Sequence, residues 1–124
     1  RDPATGEEIA RVPDLDASAA RDAIDAAAAA FPAWAAKTAK ERSAILQRWF
    51  DLLSAETEAL AQLMTAEQGK PLTEARGEVA YGASFVEWFA EEGKRAYGKT
   101  IPTTAASRRY ITIKQPIGVV AAIT

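Results

Sequence analysis

Apolar side chains recur every three or four positions along most of this chain, and that period predicts helices. Ala20, Ile24, Ala27, Phe31 and Trp34 define one face of a helix over residues 17–36, with Asp16 placed to cap its free N–H groups. Pro32 is expected to kink or restart that helix, since a mid-helix proline costs about 3 kcal/mol. Thr38 and Glu41 stand in capping-box spacing, each able to bond the other's backbone N–H. Behind them Ile45, Trp49, Leu52 and Leu53, and then Leu60, Leu63 and Met64, predict two consecutive helices, 39–54 and 57–68, with a break and a fresh cap at Ser54–Thr57.

Gly69 and Pro71 end that run, and a last helix is predicted from Leu72 to Tyr97, ended by Gly98. Leu72, Ala75, Val79, Val86, Phe89 and Ala90 line one of its faces; Tyr81, Phe85 and Trp88 line a second. A helix apolar on two faces is expected to be sandwiched between partners. Gly77, Gly82 and Gly93 within it each cost about 1 kcal/mol relative to alanine, which close approach of another backbone would offset.

The period changes to two at the C-terminal end. After an extended linker at 101–104, Tyr110, Thr112 and Lys114 alternate with Ile111 and Ile113, predicting a half-exposed strand within 107–116. Ile117–Ile123 is nearly all apolar and suits a strand buried on both faces of a larger parallel sheet. At the other end, Asp2-Pro3-Ala4-Thr5-Gly6-Glu7 reads as a tight turn, followed by a short strand from Glu8 to Val12. The fold class expected is mostly α: three to four packed helices plus terminal strands.

Composition narrows the chemistry. The 124 residues include no cysteine and no histidine, so the chain contains neither a thiol nucleophile nor an imidazole base. A net charge of −2, with acids and bases interleaved along the helices and no basic stripe, argues against nucleic acid as a partner. No apolar run is long enough to span a membrane, and a cytoplasmic protein is expected. The chain opens on Arg1 and stops at Thr124 inside an apolar run, and both ends are expected to be cut from a longer protein. Paired acids such as Glu91–Glu92 diverge on a helix and read as solvated charge. Arg108-Arg109 could meet an anionic ligand; the plainer account is a strand edge kept from pairing by its charge. On composition alone, Tyr81, Phe85 and Trp88 are either core or the lining of an apolar channel.

Three stretches carry a resemblance. Glu67-Gln68-Gly69-Lys70-Pro71-Leu72-Thr73-Glu74-Ala75, then Ser84-Phe85-Val86-Glu87-Trp88-Phe89-Ala90-Glu91-Glu92-Gly93-Lys94-Arg95, then Lys114-Gln115-Pro116-Ile117-Gly118-Val119-Val120 resemble the N-terminal quarter of the NAD(P)-dependent aldehyde dehydrogenases, nearest the succinate-semialdehyde dehydrogenase branch. The resemblance implies a parent enzyme of α/β class with a Rossmann-like NAD(P) domain. Residues 1–106 would be the helical layer of the cofactor-binding domain. Residues 107–116 would be a strand of the oligomerisation arm, and 117–124 the truncated first strand of the dinucleotide-binding sheet. Glu67 would help hold a structural monovalent cation, and Tyr81, with Phe85 and Trp88 as neighbours, would lie on the substrate tunnel. Ile123 and Thr124 would edge the dinucleotide pocket.

The implied chemistry is covalent: a thiolate attacks an aldehyde, hydride passes to NAD or NADP, and water hydrolyses the thioester. The cysteine and glutamate that do this lie outside these residues, so the chain contributes no catalytic residue and is expected to be inactive alone. The implied partners are a small aldehyde and further copies in a homo-oligomer, joined through the terminal strand and exposed helix faces. The other reading is a non-enzymatic, self-associating helical interaction module.

Overall fold

A computed structural model of the protein describes residues 1–123. Four helices follow in order: α1 (Ala17–Ala35), α2 (Ala39–Ala55), α3 (Thr57–Gln68) and α4 (Leu72–Glu92). A turn of 3-10 helix at Gly93–Arg95 leads to two short strands, β1 (Lys99–Ile101) and β2 (Tyr110–Thr112).

Local chemistry sets the helix ends. The Asp16 carboxylate accepts from the N–H groups of Ser18 at 2.9 Å and Ala19 at 3.1 Å. With the Ser18 hydroxyl as the largest influence, these bonds hold its pKa below the ordinary carboxylate value. The Thr38–Glu41 box is closed in both directions: Thr38 N donates to the Glu41 carboxylate at 2.7 Å, and Glu41 N donates to the Thr38 hydroxyl at 3.3 Å. Gly69 closes α3 in the left-handed region, at φ 77°. α1 runs through Pro32 without restarting. A proline so near the C-terminal end removes one hydrogen bond and leaves few turns beyond it to redirect. The expected fresh cap at α3 does not form. Thr57 instead donates its hydroxyl back to the Ser54 carbonyl at 2.8 Å, and Glu56 fills the cap position with no side-chain bond.

The core is built from small residues. Ala61 of α3 and Ala75 of α4 are fully buried, Val79 nearly so, and Leu60, Met64 and Leu72 pack around them. α2 and α3 both lie along α4, where Ala83 and Ala90 extend the buried stripe and bring the backbones close. α1 buries none of its residues. The second face of α4 is likewise open rather than sandwiched: Tyr81, Phe85 and Trp88 are 65%, 46% and 62% exposed, and Phe89, expected on the buried face, is 59% exposed. A Cβ added at Gly77, Gly82 or Gly93 would meet nothing within 4 Å, so no close backbone approach accounts for these glycines among the described residues.

Arg76 of α4 ties itself to α3. Its guanidinium makes two bonds to the Glu58 carboxylate, at 2.7 and 2.9 Å, and Gln62 adds a third at 2.8 Å. The Arg76 bond, followed by that from Gln62, lowers the Glu58 pKa from 4.5 to about 2. A depressed carboxyl pKa stabilises the fold fully above the ordinary value, and that contribution is lost as pH falls from there toward the folded value. The melting temperature of the wild-type chain is therefore expected to fall more steeply between pH 4.5 and 2 than that of Glu58→Gln. Both groups face solvent, so the difference should shrink in high salt. Equal slopes in thermal scans across that range would contradict it.

The strands differ most from expectation. Residues 8–12 form no strand, although the turn before them does form, with Gly6 N donating to the Asp2 carbonyl at 2.8 Å. The supposed linker at 101–104 overlaps β1, which pairs antiparallel with β2 in the register Lys99 with Thr112, Thr100 with Ile111, and Ile101 with Tyr110. Of the strand expected within 107–116, only these three residues pair. Residues 113–123 carry no ladder, and Gly118 has a φ of 106°.

Candidate functional site

α4 presents two clefts on different faces. The outward one, of about 730 Å³, brings together Tyr81, Phe85 and Trp88, the three residues singled out for an apolar tunnel. Their spacing of four and three residues sets them on one side of the helix. The Tyr81 and Phe85 rings meet edge to face, with centroids 4.8 Å apart and planes at 74°. Ser84, which also lines the cleft, donates its hydroxyl back to the Tyr81 carbonyl at 2.7 Å. Glu87, Glu91, Glu92 and Arg95 form a charged rim, in which Arg95 pairs with Glu92 at 2.9 Å. The surface is an aromatic wall with a polar border. It can hold the apolar part of a small molecule, and its lining contains no cysteine, histidine or lysine.

The second cleft, of about 610 Å³, lies among α2, α3 and α4. Glu67 and Gln68 stand on its border beside Glu78, whose carboxylate is paired with Lys70. Glu67 is exposed, makes no side-chain hydrogen bond among the described residues, and does not meet Tyr81 in one cleft. No group of three acidic, histidine or cysteine side chains among the described residues could hold a metal ion. A cation at Glu67 would need main-chain carbonyls for its remaining ligands.

Ile123 is 98% exposed at the end of the unpaired segment, and Thr124 lies outside the described residues. Residues 117–123 offer only aliphatic side chains and a glycine. Such a segment can lie against a flat ring, but it has no side chain to bond a phosphate or a ribose hydroxyl. By itself this segment does not make a dinucleotide site.

Charge is divided unevenly along the chain. Residues 93–124 carry six lysines and arginines and no acid, whereas residues 1–92 carry nine against seventeen acids. Lys94 and Arg95 are neutralised by Glu91 and Glu92. Lys99, Arg108, Arg109 and Lys114, all on or beside the hairpin, have no ionic partner among the described residues. The near-neutral total charge thus conceals a basic arm that begins at Gly93. No helix of the described residues is long and apolar enough to cross a membrane.

Known proteins share both sequence and fold with this chain. The profile of the aldehyde dehydrogenase family matches residues 1–124. The NADP(+) succinate-semialdehyde dehydrogenase GabD of Escherichia coli K12 is 61% identical over 122 residues, which is 98% of this chain and 25% of that protein. A glutarate-semialdehyde dehydrogenase of Pseudomonas putida KT2440 is 62% identical over the same shares. Among solved structures, an NADP-dependent enzyme of E. coli superposes with a TM-score of 0.91 at 59% identity, and the succinate-semialdehyde dehydrogenase of Burkholderia pseudomallei with 0.91 at 58%; each match covers 94% of this chain and 24% of the other. The chain thus spans about a quarter of the length of the relatives it matches. With its sequence matched by the family's profile from Arg1 to Thr124, this chain belongs to the aldehyde dehydrogenase family.

Proposed function

We propose that these residues are the N-terminal part of an NAD- or NADP-dependent dehydrogenase that oxidises succinate semialdehyde, or a related semialdehyde, to the acid. The observation that carries the reading is the level of identity, 61% and 62%, to relatives named for succinate and glutarate semialdehydes. Both names describe short aldehydes that end in a carboxylate. In this reading Tyr81, Phe85 and Trp88 form one wall of the substrate tunnel, and their open cleft is closed by a later part of the protein. Residues 117–124 open the dinucleotide-binding sheet, and Glu67 contributes to a structural monovalent cation site.

The same reading leaves the 124 residues inactive alone, because they contain no cysteine to attack an aldehyde. It also has copies associate through the hairpin arm and the exposed helix faces. The solvent-facing Ile111 and Ile113, each 70% exposed, support that part. The test is aldehyde-dependent NADH or NADPH formation by the protein at the length of its relatives, with succinate semialdehyde as substrate. The 124 residues assayed alone should give none.

A further inference from the structure

A glycine inside a helix is destabilising relative to alanine, and close approach of a neighbour is the usual compensation. α4 holds two such glycines, and they stand on different sides. Gly82 lines the cleft among α2, α3 and α4. Gly77 lies one turn before Tyr81 and two before Phe85, so it shares one side of the helix with Tyr81, Phe85 and Trp88. A Cβ at Gly77 would meet nothing within 4 Å, and Thr73 and Glu74, a turn earlier, are exposed. Its φ is not positive, so the backbone does not call for glycine there either.

The position bears on the aromatic cleft. Helical side chains lean toward the N-terminal end of their helix, so the surface next to Tyr81 in that direction lies over Gly77. The wall made by Trp88, Phe85 and Tyr81 therefore gives way at Gly77 to bare backbone. A branched aliphatic side chain at Gly77 would continue the wall and fill that end. A row of rings with a missing side chain at one end is a wall of fixed length beside an open space.

We propose that Gly77 is a specificity-determining position: its missing side chain leaves room beyond Tyr81, and that room sets the length of semialdehyde the protein accepts. This rests on the reading of the aromatic cleft as one wall of the substrate tunnel.

The test is kcat/KM for succinate semialdehyde and for glutarate semialdehyde, which is longer by one methylene, with the protein at the length of its relatives. Gly77→Leu should lower the ratio of glutarate to succinate semialdehyde by about tenfold or more, the scale on which an apolar pocket senses one methylene. The change should lie chiefly in KM. Gly77→Ala should move the ratio the same way by less, and Gly82→Ala, on the other side of α4, should leave it unmoved. Gly77→Leu should also melt no lower than the unaltered protein, since leucine is the better helix former and the side chain enters open space. An unchanged ratio, or equal losses with both aldehydes, would overturn the role of Gly77 and leave the semialdehyde reading standing. A lower melting temperature for Gly77→Leu would also overturn it, because another part of the protein would then lie against Gly77. Oxidation of neither aldehyde by the unaltered protein would overturn the semialdehyde reading and this inference with it.

Discussion

Replacing Gly98 by alanine is expected to open the β1–β2 hairpin while leaving the helices folded. A Cβ at residue 98 would overlap the main-chain carbonyl of Thr112, which no side-chain rotation can relieve. Thr112 is also the register partner of Lys99, and its hydroxyl accepts from Lys99 N at 3.0 Å, so displacing it removes the first rung of a three-rung ladder. A two-stranded hairpin is marginal even when intact. The loss should appear as fast amide exchange at Thr100 and Ile111, with helical circular dichroism unchanged. Retention of slow exchange at those residues would show that the hairpin tolerates the shift.

Ala75→Leu is expected to be the most damaging single change to the helical body. Ala75 has no exposed surface and sits against Ala61, also fully buried, where α4 crosses α3. Three extra carbons at that point must push the helices apart, which costs about 1–3 kcal/mol. In a domain of this size that corresponds to a fall of roughly 5–15 °C in melting temperature. Two residues on, Gly77→Ala should act in the opposite sense. Its Cβ would meet open space, and alanine improves a helix interior by about 1 kcal/mol. Thermal unfolding of the two proteins checks the sign of both. Similar melting temperatures for Ala75→Leu and the parent would mean that the α3–α4 contact is loose.

Most helix ends were legible in the sequence because each is decided within four residues, but α4 stops at Glu92 rather than at the expected Tyr97, since Gly93 opens a turn of 3-10 helix there. Asp16, the Thr38–Glu41 pair and Gly69 all act as their local chemistry dictates. The break between α2 and α3 also falls where expected, but a hydroxyl bonded backward stands where a forward cap was anticipated. The grouping of Tyr81, Phe85 and Trp88 follows from helical spacing alone. Whether that face is covered does not, because a helix cannot announce what lies against it.

Strands fared worse for the same reason. Residues 8–12 supply apolar positions at Ile9 and Val12 but pair with no other strand among the described residues. Ile101 reads as the start of a linker, and it joins Lys99 and Thr100 in a strand only because Tyr110–Thr112 returns beside them. Ile117–Ile123 has the composition of a buried strand, and its Val120 and Ile123 stand 71% and 98% exposed. The basic arm was hidden by a near-neutral total charge.

The reading of the whole protein rests on recognition of a short aldehyde that carries its own carboxylate, and substrate preference tests it most directly. The measurement is kcat/KM for succinate semialdehyde against butanal, an uncharged aldehyde of equal chain length, using the protein at the length of its relatives and with each of NAD and NADP. A site built to bind the carboxylate leaves buried polar groups unpaired when butanal enters, so succinate semialdehyde should be favoured by a factor of at least about 100. Equal rates for the two aldehydes, or preference for butanal, would contradict the assignment to the semialdehyde-oxidising branch.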